Sequence, residues 1–198
     1  SSQGLTDMAG KAGERKHQIL QMLAEMLEQP HSARITTAAL AARLQLSEAA
    51  LYRHFASKAQ MFEGLFAFIE SSVFSLVNQI TASEPDGVEQ ARKITLMLLT
   101  FARLNRGMTR VLTGDALVNE DARLQERAAQ FTNRIDASLR QALRGAITTG
   151  TLAPSCDPSV LASLLTSVIL GRWLRFAQSG WQTDPTQNAE QQLRMLLG

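Results

Sequence analysis

The stretch RITTAALAARLQLSEAALYRHFASK, residues 34–58, decides the fold of this chain. It contains two short amphipathic segments separated by a tight turn, and it ends at the capped start of a longer helix. Thr36 and Thr37 are typical residues for the start of the first helix, and Ser47 is typical for the start of the second. The pattern predicts a helix-turn-helix, in which the second helix enters the major groove of DNA.

A helix-turn-helix needs a small apolar core, and Leu40, Leu44, Leu51 and Phe55 have the spacing to form it. Hydroxyl groups and helix N-termini suit phosphate oxygens, whereas a small alanine suits the thymine methyl group and an arginine suits guanine. Glu48 lies in the first turn of the second helix, where its negative charge interacts favourably with the helix dipole. The predicted DNA-binding residues are Arg34, Thr36, Thr37, Ser47, Glu48, Ala49, Tyr52, Arg53, His54 and Lys58.

A helical adaptor that does not bind DNA is the alternative interpretation of this stretch. Short amphipathic helix pairs occur in many helical proteins, and the turn here lacks the glycine that such turns often contain. The adaptor hypothesis predicts that Tyr52→Ala and Lys58→Ala leave all binding intact, so these variants separate the two interpretations.

The amino-acid composition restricts the classes of protein to which this chain can belong. The chain has 198 residues, of which 45% are apolar and 19% charged, and its net charge is only +2. The single cysteine, Cys156, excludes an internal disulfide and fits a reducing cytoplasm. We find neither a secretory signal nor a continuous apolar run of the ~18 residues that a membrane span requires, so we expect no membrane association.

Helical periodicity recurs along the whole chain, and no strand-like alternation of useful length is present. The sequence therefore predicts an all-α protein with nine helices. Residues 1–10 are expected to be a flexible N-terminus, 11–57 the helix-turn-helix domain and 58–198 a helical dimerisation and regulatory domain. Outside the helix-turn-helix pair, helices are predicted at 11–29 (ended by Pro30), 58–81, 87–104, 108–118, 119–147, 158–178 and 185–197.

Catalysis and metal binding find no support in the sequence. Motifs of serine hydrolases, phosphate-binding loops, zinc peptidases and dinucleotide-binding folds are absent from it. The three histidines, His17, His31 and His54, are scattered and have no cysteine or carboxylate at ligand spacing. We predict no enzyme activity, no catalytic residue, no metal site and no cofactor.

The same stretch resembles the DNA-binding domain of TetR-family regulators. The resemblance lies in a helix-turn-helix that ends in a Tyr-x-x-Phe pattern, followed by a lysine at the start of a long connecting helix. In this chain the matching residues are Tyr52, Phe55 and Lys58. The resemblance implies a nine-helix fold, homodimers and palindromic DNA sites.

Further matches resemble the nucleoid-occlusion members of that family. They include N-x-G-x-T-R at 105–110, LTGDAL at 112–117 and LRQ-x-LR at 139–144. This resemblance implies a nucleoid-associated protein that binds chromosomal palindromes and antagonises the tubulin-like division protein FtsZ. It also implies a partner surface on the fourth and fifth helices, to which Phe68 and Asn105 are expected to contribute.

The resemblance further implies that the last two helices form a four-helix dimer interface. The residues predicted there are Leu161, Leu164, Leu165, Val168, Trp173 and Leu193. A ligand-responsive transcriptional repressor on the same fold is the alternative function, because the body's aromatic rings could line an inducer pocket. We favour plain core packing for these rings, which are Phe62, Phe66, Phe74, Phe101, Phe131, Trp173 and Phe176.

Overall fold

The computed structural model describes residues 2–29 and 34–198, and within these ranges every regular element is helical. The all-α prediction is therefore confirmed, and the described residues form nine α-helices. These are α1 (Ser2–Leu27), α2 (Thr37–Arg43), α3 (Glu48–His54), α4 (Lys58–Ser83), α5 (Gly87–Leu104), α6 (Arg106–Leu112), α7 (Ala122–Thr149), α8 (Pro158–Gln178) and α9 (Ala189–Leu197), with a 3₁₀ turn at Asp115–Leu117.

Side-chain caps explain why most helices begin where the sequence predicts. At α4, Ser57 Oγ accepts a hydrogen bond from Gln60 N at 3.1 Å, and Gln60 Oε1 accepts one from Ala56 N at 3.0 Å. This reciprocal pair satisfies two amide groups that the first helical turn leaves without partners. At α8, the Asp157 carboxylate caps the helix and Pro158 occupies its first position, as predicted.

Three helix boundaries differ from the prediction by more than three residues. α1 begins at Ser2, so residues 2–10, expected to be a flexible N-terminus, continue the first helix, and Pro30 lies outside the described residues. α6 ends at Leu112, and Gly114 then turns the chain with φ 82°. α9 begins only at Ala189, because Asp184 closes a tight turn by accepting a hydrogen bond from Thr186 N at 2.8 Å.

The body is built around α7, which packs against both α5 and α8, while α4 lies against α5 and α7. The indole of Trp173 on α8 is fully buried, and its Nε1 donates a hydrogen bond to Leu98 O on α5 at 3.0 Å. The helices α1 to α3 share a smaller part of the same core around Leu23, Leu40 and Leu51.

The crossing of α1 with α6 joins these two parts of the molecule. Gly107 lies so close to α1 that a Cβ atom there would be 1.9 Å from Ala24 O. The end of α1 is also held from the body, because Arg110 Nη1 donates to Leu27 O at 3.1 Å and Trp181 Nε1 donates to Glu28 O at 2.7 Å. These contacts fix the first three helices on the body.

Two helices, α4 and α8, are long and apolar enough to cross a membrane by length and composition alone. The sequence analysis tested for membrane spans only by continuous apolar runs, so it did not identify these two helices. Each helix supplies a buried face to the shared core, among them Phe62 and Phe66 from α4 and Leu165 and Ile169 from α8. Core helices of helical proteins commonly have this composition.

Candidate nucleic-acid interface

The turn between α2 and α3 forms without glycine. Gln45 adopts the left-handed backbone conformation, with φ 56°. Gln45 N donates to Ala42 O at 3.1 Å and Leu46 N donates to Ala41 O at 2.9 Å. This pair of hydrogen bonds is the usual way to end a helix at a left-handed residue, normally a glycine. The turn that the sequence predicts is therefore present, with glutamine in the position of that glycine.

The predicted apolar core of this unit is largely confirmed. Leu40, Leu51 and Phe55 are buried, while Leu44 is only partly buried and packs at the edge of the core. Because their side chains point inward, the opposite face of α3 is directed away from the body. Ala49 and Arg53 lie on that exposed face.

Two hydroxyl groups cap the helices of this unit and keep a free donor. Thr36 Oγ1 accepts a hydrogen bond from Ala39 N at 3.1 Å, and Ser47 Oγ accepts one from Ala50 N at 3.0 Å. Each oxygen is used as an acceptor, so each hydroxyl hydrogen remains available to an incoming phosphate oxygen. This geometry suits the phosphate role predicted for both residues.

A chain of hydrogen bonds links α3 to the start of α2. Tyr52 Oη donates to Thr37 Oγ1 at 3.2 Å, and Thr37 Oγ1 donates to Glu48 Oε2 at 3.1 Å. Glu48 is thus an internal acceptor. The hydroxyl hydrogen of Tyr52 is also used internally, although its ring is 41% exposed. These three predicted DNA-binding residues therefore hold the two helices together in this structure.

The arginine, lysine and histidine side chains predicted to meet DNA fall into two groups. Arg53 is exposed and forms no ion pair with another described residue. His54 is half-buried and borders an open groove of about 490 Å³ together with Lys11, Glu14 and Arg15 of α1. The sequence pattern around α3 did not reveal the two α1 cations, which only the packing of α1 against α3 brings to this side.

Arg34 and Lys58 form the second group, because both contact Glu120 in the body. Lys58 Nζ is 2.6 Å from Glu120 Oε1, and Arg34 Nε is 2.9 Å from the same oxygen. Burial raises the pKa of the Glu120 carboxyl, but hydrogen bonds from both cations outweigh this effect and the net pKa is lowered. The hydrogen bonds that Arg34 donates to Glu120 raise the pKa of the Arg34 guanidinium. Sequence reasoning missed Glu120, which belongs to no local motif.

The two residues predicted to bind a partner protein lie together. Phe68 and Asn105 line one groove of about 310 Å³, between α1, α4 and the junction of α5 with α6. The Phe68 ring is 38% exposed and lies 5.8 Å from the His17 ring, measured between centroids. Asn105 Nδ2 donates to Phe101 O at 2.9 Å, so its side-chain oxygen is left for another donor.

The residues predicted at a dimer interface are divided between the core and the surface. Leu165, Trp173 and Leu193 are buried within the subunit, and Leu161 is only 8% exposed, so the prediction is wrong for these four. One face of α8 packs on α5 and α7, but apolar residues also lie on its outer face, so periodicity alone did not separate the two faces. Leu164 is exposed and Val168 partly so, and the sequence analysis missed the apolar residues Val160, Leu174 and Met195, which are exposed.

Two sequence models of known families match the chain. "Bacterial regulatory proteins, tetR family" matches residues 21–65, and "Tetracyclin repressor-like, C-terminal domain", of SlmA-like type, matches residues 86–198. The chain belongs to the TetR family, in its SlmA-like group. The nucleoid occlusion factor SlmA of Aliivibrio fischeri is 46% identical over 88% of this chain and 89% of its own length. SlmA of Idiomarina loihiensis is 43% identical over 96% of both chains.

Solved structures agree with the family at the level of the fold. A TetR transcription regulator from Haloarcula marismortui superimposes with a TM-score of 0.79 at 15% identity, covering 93% of this chain and 97% of that one. FadR from Bacillus subtilis, solved with stearoyl-CoA, gives a TM-score of 0.75 at 12% identity, covering 92% and 97%. Such low identities show a shared architecture and nothing about ligands.

The aromatic rings considered for an inducer pocket lie mostly in the core of this TetR-type body. Phe66, Phe131, Trp173 and Phe176 are at most 2% exposed. The Phe74 and Phe131 rings contact each other with 5.5 Å between centroids. Among the described residues, no group of histidine, cysteine and carboxylate side chains has the arrangement of a metal site.

Proposed function

We propose that this chain is a homodimeric, sequence-specific DNA-binding protein that antagonises FtsZ assembly when bound to chromosomal palindromes. It would thereby block septum formation over the nucleoid. The observation that carries this proposal is 43–46% identity to relatives named nucleoid occlusion factor SlmA, over nearly the whole chain. TetR regulators that share only the fold are 12–20% identical. We accordingly expect a cytoplasmic, nucleoid-associated regulator rather than an enzyme.

The exposed face of α3 supports major-groove readout. Ala49 is small enough for close approach to bases, and Arg53, the exposed arginine of α3, has no carboxylate partner among the described residues. We expect Arg53→Ala to weaken binding to the palindrome by roughly tenfold or more, the effect of one lost base contact. Arg144→Ala is the matched control, because Arg144 is exposed on α7 and its side chain makes no ion pair within the described part of the chain.

The outer face of α8 and α9 supports a dimer. Val160, Leu164, Leu174 and Met195 are between 43% and 85% exposed, an apolar surface that a free subunit would rarely present. Two-fold pairing of this face would give two recognition helices about 34 Å apart, one turn of DNA. Leu164→Glu should yield monomers in sedimentation velocity, whereas Leu104→Glu, at a more exposed leucine on α5, should leave dimers.

The groove that holds Phe68 and Asn105 supports a partner site on the body, beside the DNA-binding domain. We expect Phe68→Ala and Asn105→Ala to relieve the inhibition of FtsZ polymerisation, measured by sedimentation with palindromic DNA present, while DNA affinity is unchanged. Asn133→Ala is the control, because Asn133 is an exposed asparagine on α7. If all three variants inhibit FtsZ equally, this groove is not the partner site.

Genome-wide occupancy in the native cell tests the proposal as a whole. We expect many palindromic sites scattered over the chromosome and sparse near the terminus. One or two sites beside the protein's own gene would instead identify a ligand-responsive repressor. The near-complete burial of Phe66, Phe131, Trp173 and Phe176 favours the first outcome, because an inducer pocket would need such rings to line an accessible cavity.

A further inference from the structure

Glu120 connects the body to both ends of the DNA-reading segment. It lies in the turn before α7, and its side chain is 5% exposed. Arg34 is located just before α2, and Lys58 is the first residue of α4. One carboxylate, 86 residues from Arg34 and 62 from Lys58, therefore holds the two ends of the helix-turn-helix at a defined separation.

The geometry of this cluster is well defined. Arg34 uses two nitrogens, with Nε 2.9 Å from Oε1 and Nη2 3.2 Å from Oε2 of Glu120. Lys58 Nζ lies 2.6 Å from Oε1, and its side chain is only 18% exposed. A carboxylate that is nearly buried must keep its partners, and such a cluster contributes more to a defined geometry than to net stability. The cluster retains one net positive charge, and the remaining donors of both cations make no hydrogen bond to another described residue.

We propose that Glu120 is a positioning residue for DNA binding, which holds Arg34 and Lys58 together at the two ends of the helix-turn-helix for contact with the phosphate backbone, and so favours the specific site over other DNA. The inference rests on the DNA binding proposed above. Phosphate contacts fix the register of a protein on its site, and a cation held in place loses less conformational freedom on binding than a mobile one.

A role of Glu120 through its charge alone predicts a different effect of its removal on DNA affinity. Removing a negative charge near DNA strengthens attraction to every duplex, whatever its sequence. If Glu120 mattered only through its charge, Glu120→Gln would raise the affinity for specific and non-specific DNA alike. If it positions the two cations, the ratio of specific to non-specific affinity must fall, even where non-specific affinity rises.

The experiment measures dissociation constants of the full-length protein for two duplexes of equal length across a salt series. One carries the palindrome that the unaltered protein selects from random duplexes, and the other carries the same bases scrambled. We expect Glu120→Gln to lower the affinity ratio by roughly tenfold, the effect of one lost charged hydrogen bond. Glu126→Gln is the control, because it makes the same charge change at an exposed residue on α7 that has no ion pair in the described part of the chain.

Glu120→Asp keeps the charge but draws the carboxylate back by one methylene, so it tests position alone if the glutamine variant fails to fold. We expect Glu120→Asp to lower the ratio as well. If a folded Glu120 variant has the same ratio of specific to non-specific affinity as the unaltered protein, this inference is overturned. Equal affinity of the unaltered protein for both duplexes would overturn the proposed function and this inference with it.

Discussion

Gly107→Ala is the perturbation that most directly tests how the DNA-binding helices are fixed to the body. Gly107 is buried on α6, where α1 crosses it. The added Cβ would lie 1.9 Å from Ala24 O and 2.8 Å from Ala24 C. Both are backbone atoms, so no side-chain rotation can relieve the contact and the two helices must separate.

The expected change in the free energy of unfolding is the difference between two opposing contributions. Overpacking of a buried contact costs about 1–3 kcal/mol, and a backbone neighbour places this case near the upper limit. Alanine regains at most about 1 kcal/mol over glycine in a helix. The net loss is therefore about 2 kcal/mol, which lowers the Tm of a protein of this size by about 4–8 °C.

Gly145→Ala is the matched control for this substitution. Gly145 lies within α7, where an added Cβ would meet nothing within 4 Å. We expect this variant to be more stable than the unaltered protein by about 0.5–1 kcal/mol. Calorimetry of both variants at one protein concentration measures the two changes, because the Tm of an oligomer depends on concentration. A Gly107→Ala protein as stable as the Gly145→Ala protein would refute the close crossing of α1 and α6.

Three further predictions concern buried and capping groups. Trp173→Phe should lower the unfolding free energy by about 2 kcal/mol in denaturant titrations, since it removes the hydrogen bond to Leu98 O and vacates core volume. Ser47→Ala should cost about 1 kcal/mol by the same assay and weaken DNA binding, because α3 loses its cap. The pKa of Glu120 in the folded protein is lower than its ordinary value of 4.5, so the ionised carboxylate stabilises the fold. This contribution to the free energy of unfolding is complete above pH 4.5 and is lost as the pH falls through the folded-state pKa. The stability difference between the unaltered protein and Glu120→Gln should therefore shrink below pH 4.5.

Much of the local structure was predictable because its causes lie within a few residues. The caps at Ser47, Ser57 and Asp157 act on amides two or three positions ahead, and the sequence shows them directly. The tight turn between the two short helices was predicted, although the left-handed conformation of Gln45 was not. The late start of α9 was missed because an Asp-Pro pair, here Asp184-Pro185, can either begin a helix or close a turn, and the sequence does not separate the two.

Long-range placement accounts for the predictions that were wrong or incomplete. Leu164 and Leu165 are neighbours on α8 with the same chemistry, yet one is 45% exposed and the other fully buried, because α5 and α7 cover only one face. In the same way, Phe68 and Asn105 were named separately, and only the packing of α1 against α4 and α6 makes them walls of one groove.

The sequence by itself determined the helix-turn-helix, the all-helical class and the family, because caps, periodicity and motif spacing act between residues that are close in the chain. Within the described residues, the tertiary structure decided which apolar face remains outside and which cations pair with a carboxylate of the body. The pairing of Lys58 with Glu120 illustrates the reason. Their charges interact strongly at 2.6 Å in a partly buried place, but 62 residues separate them in the chain, and no local pattern encodes that distance.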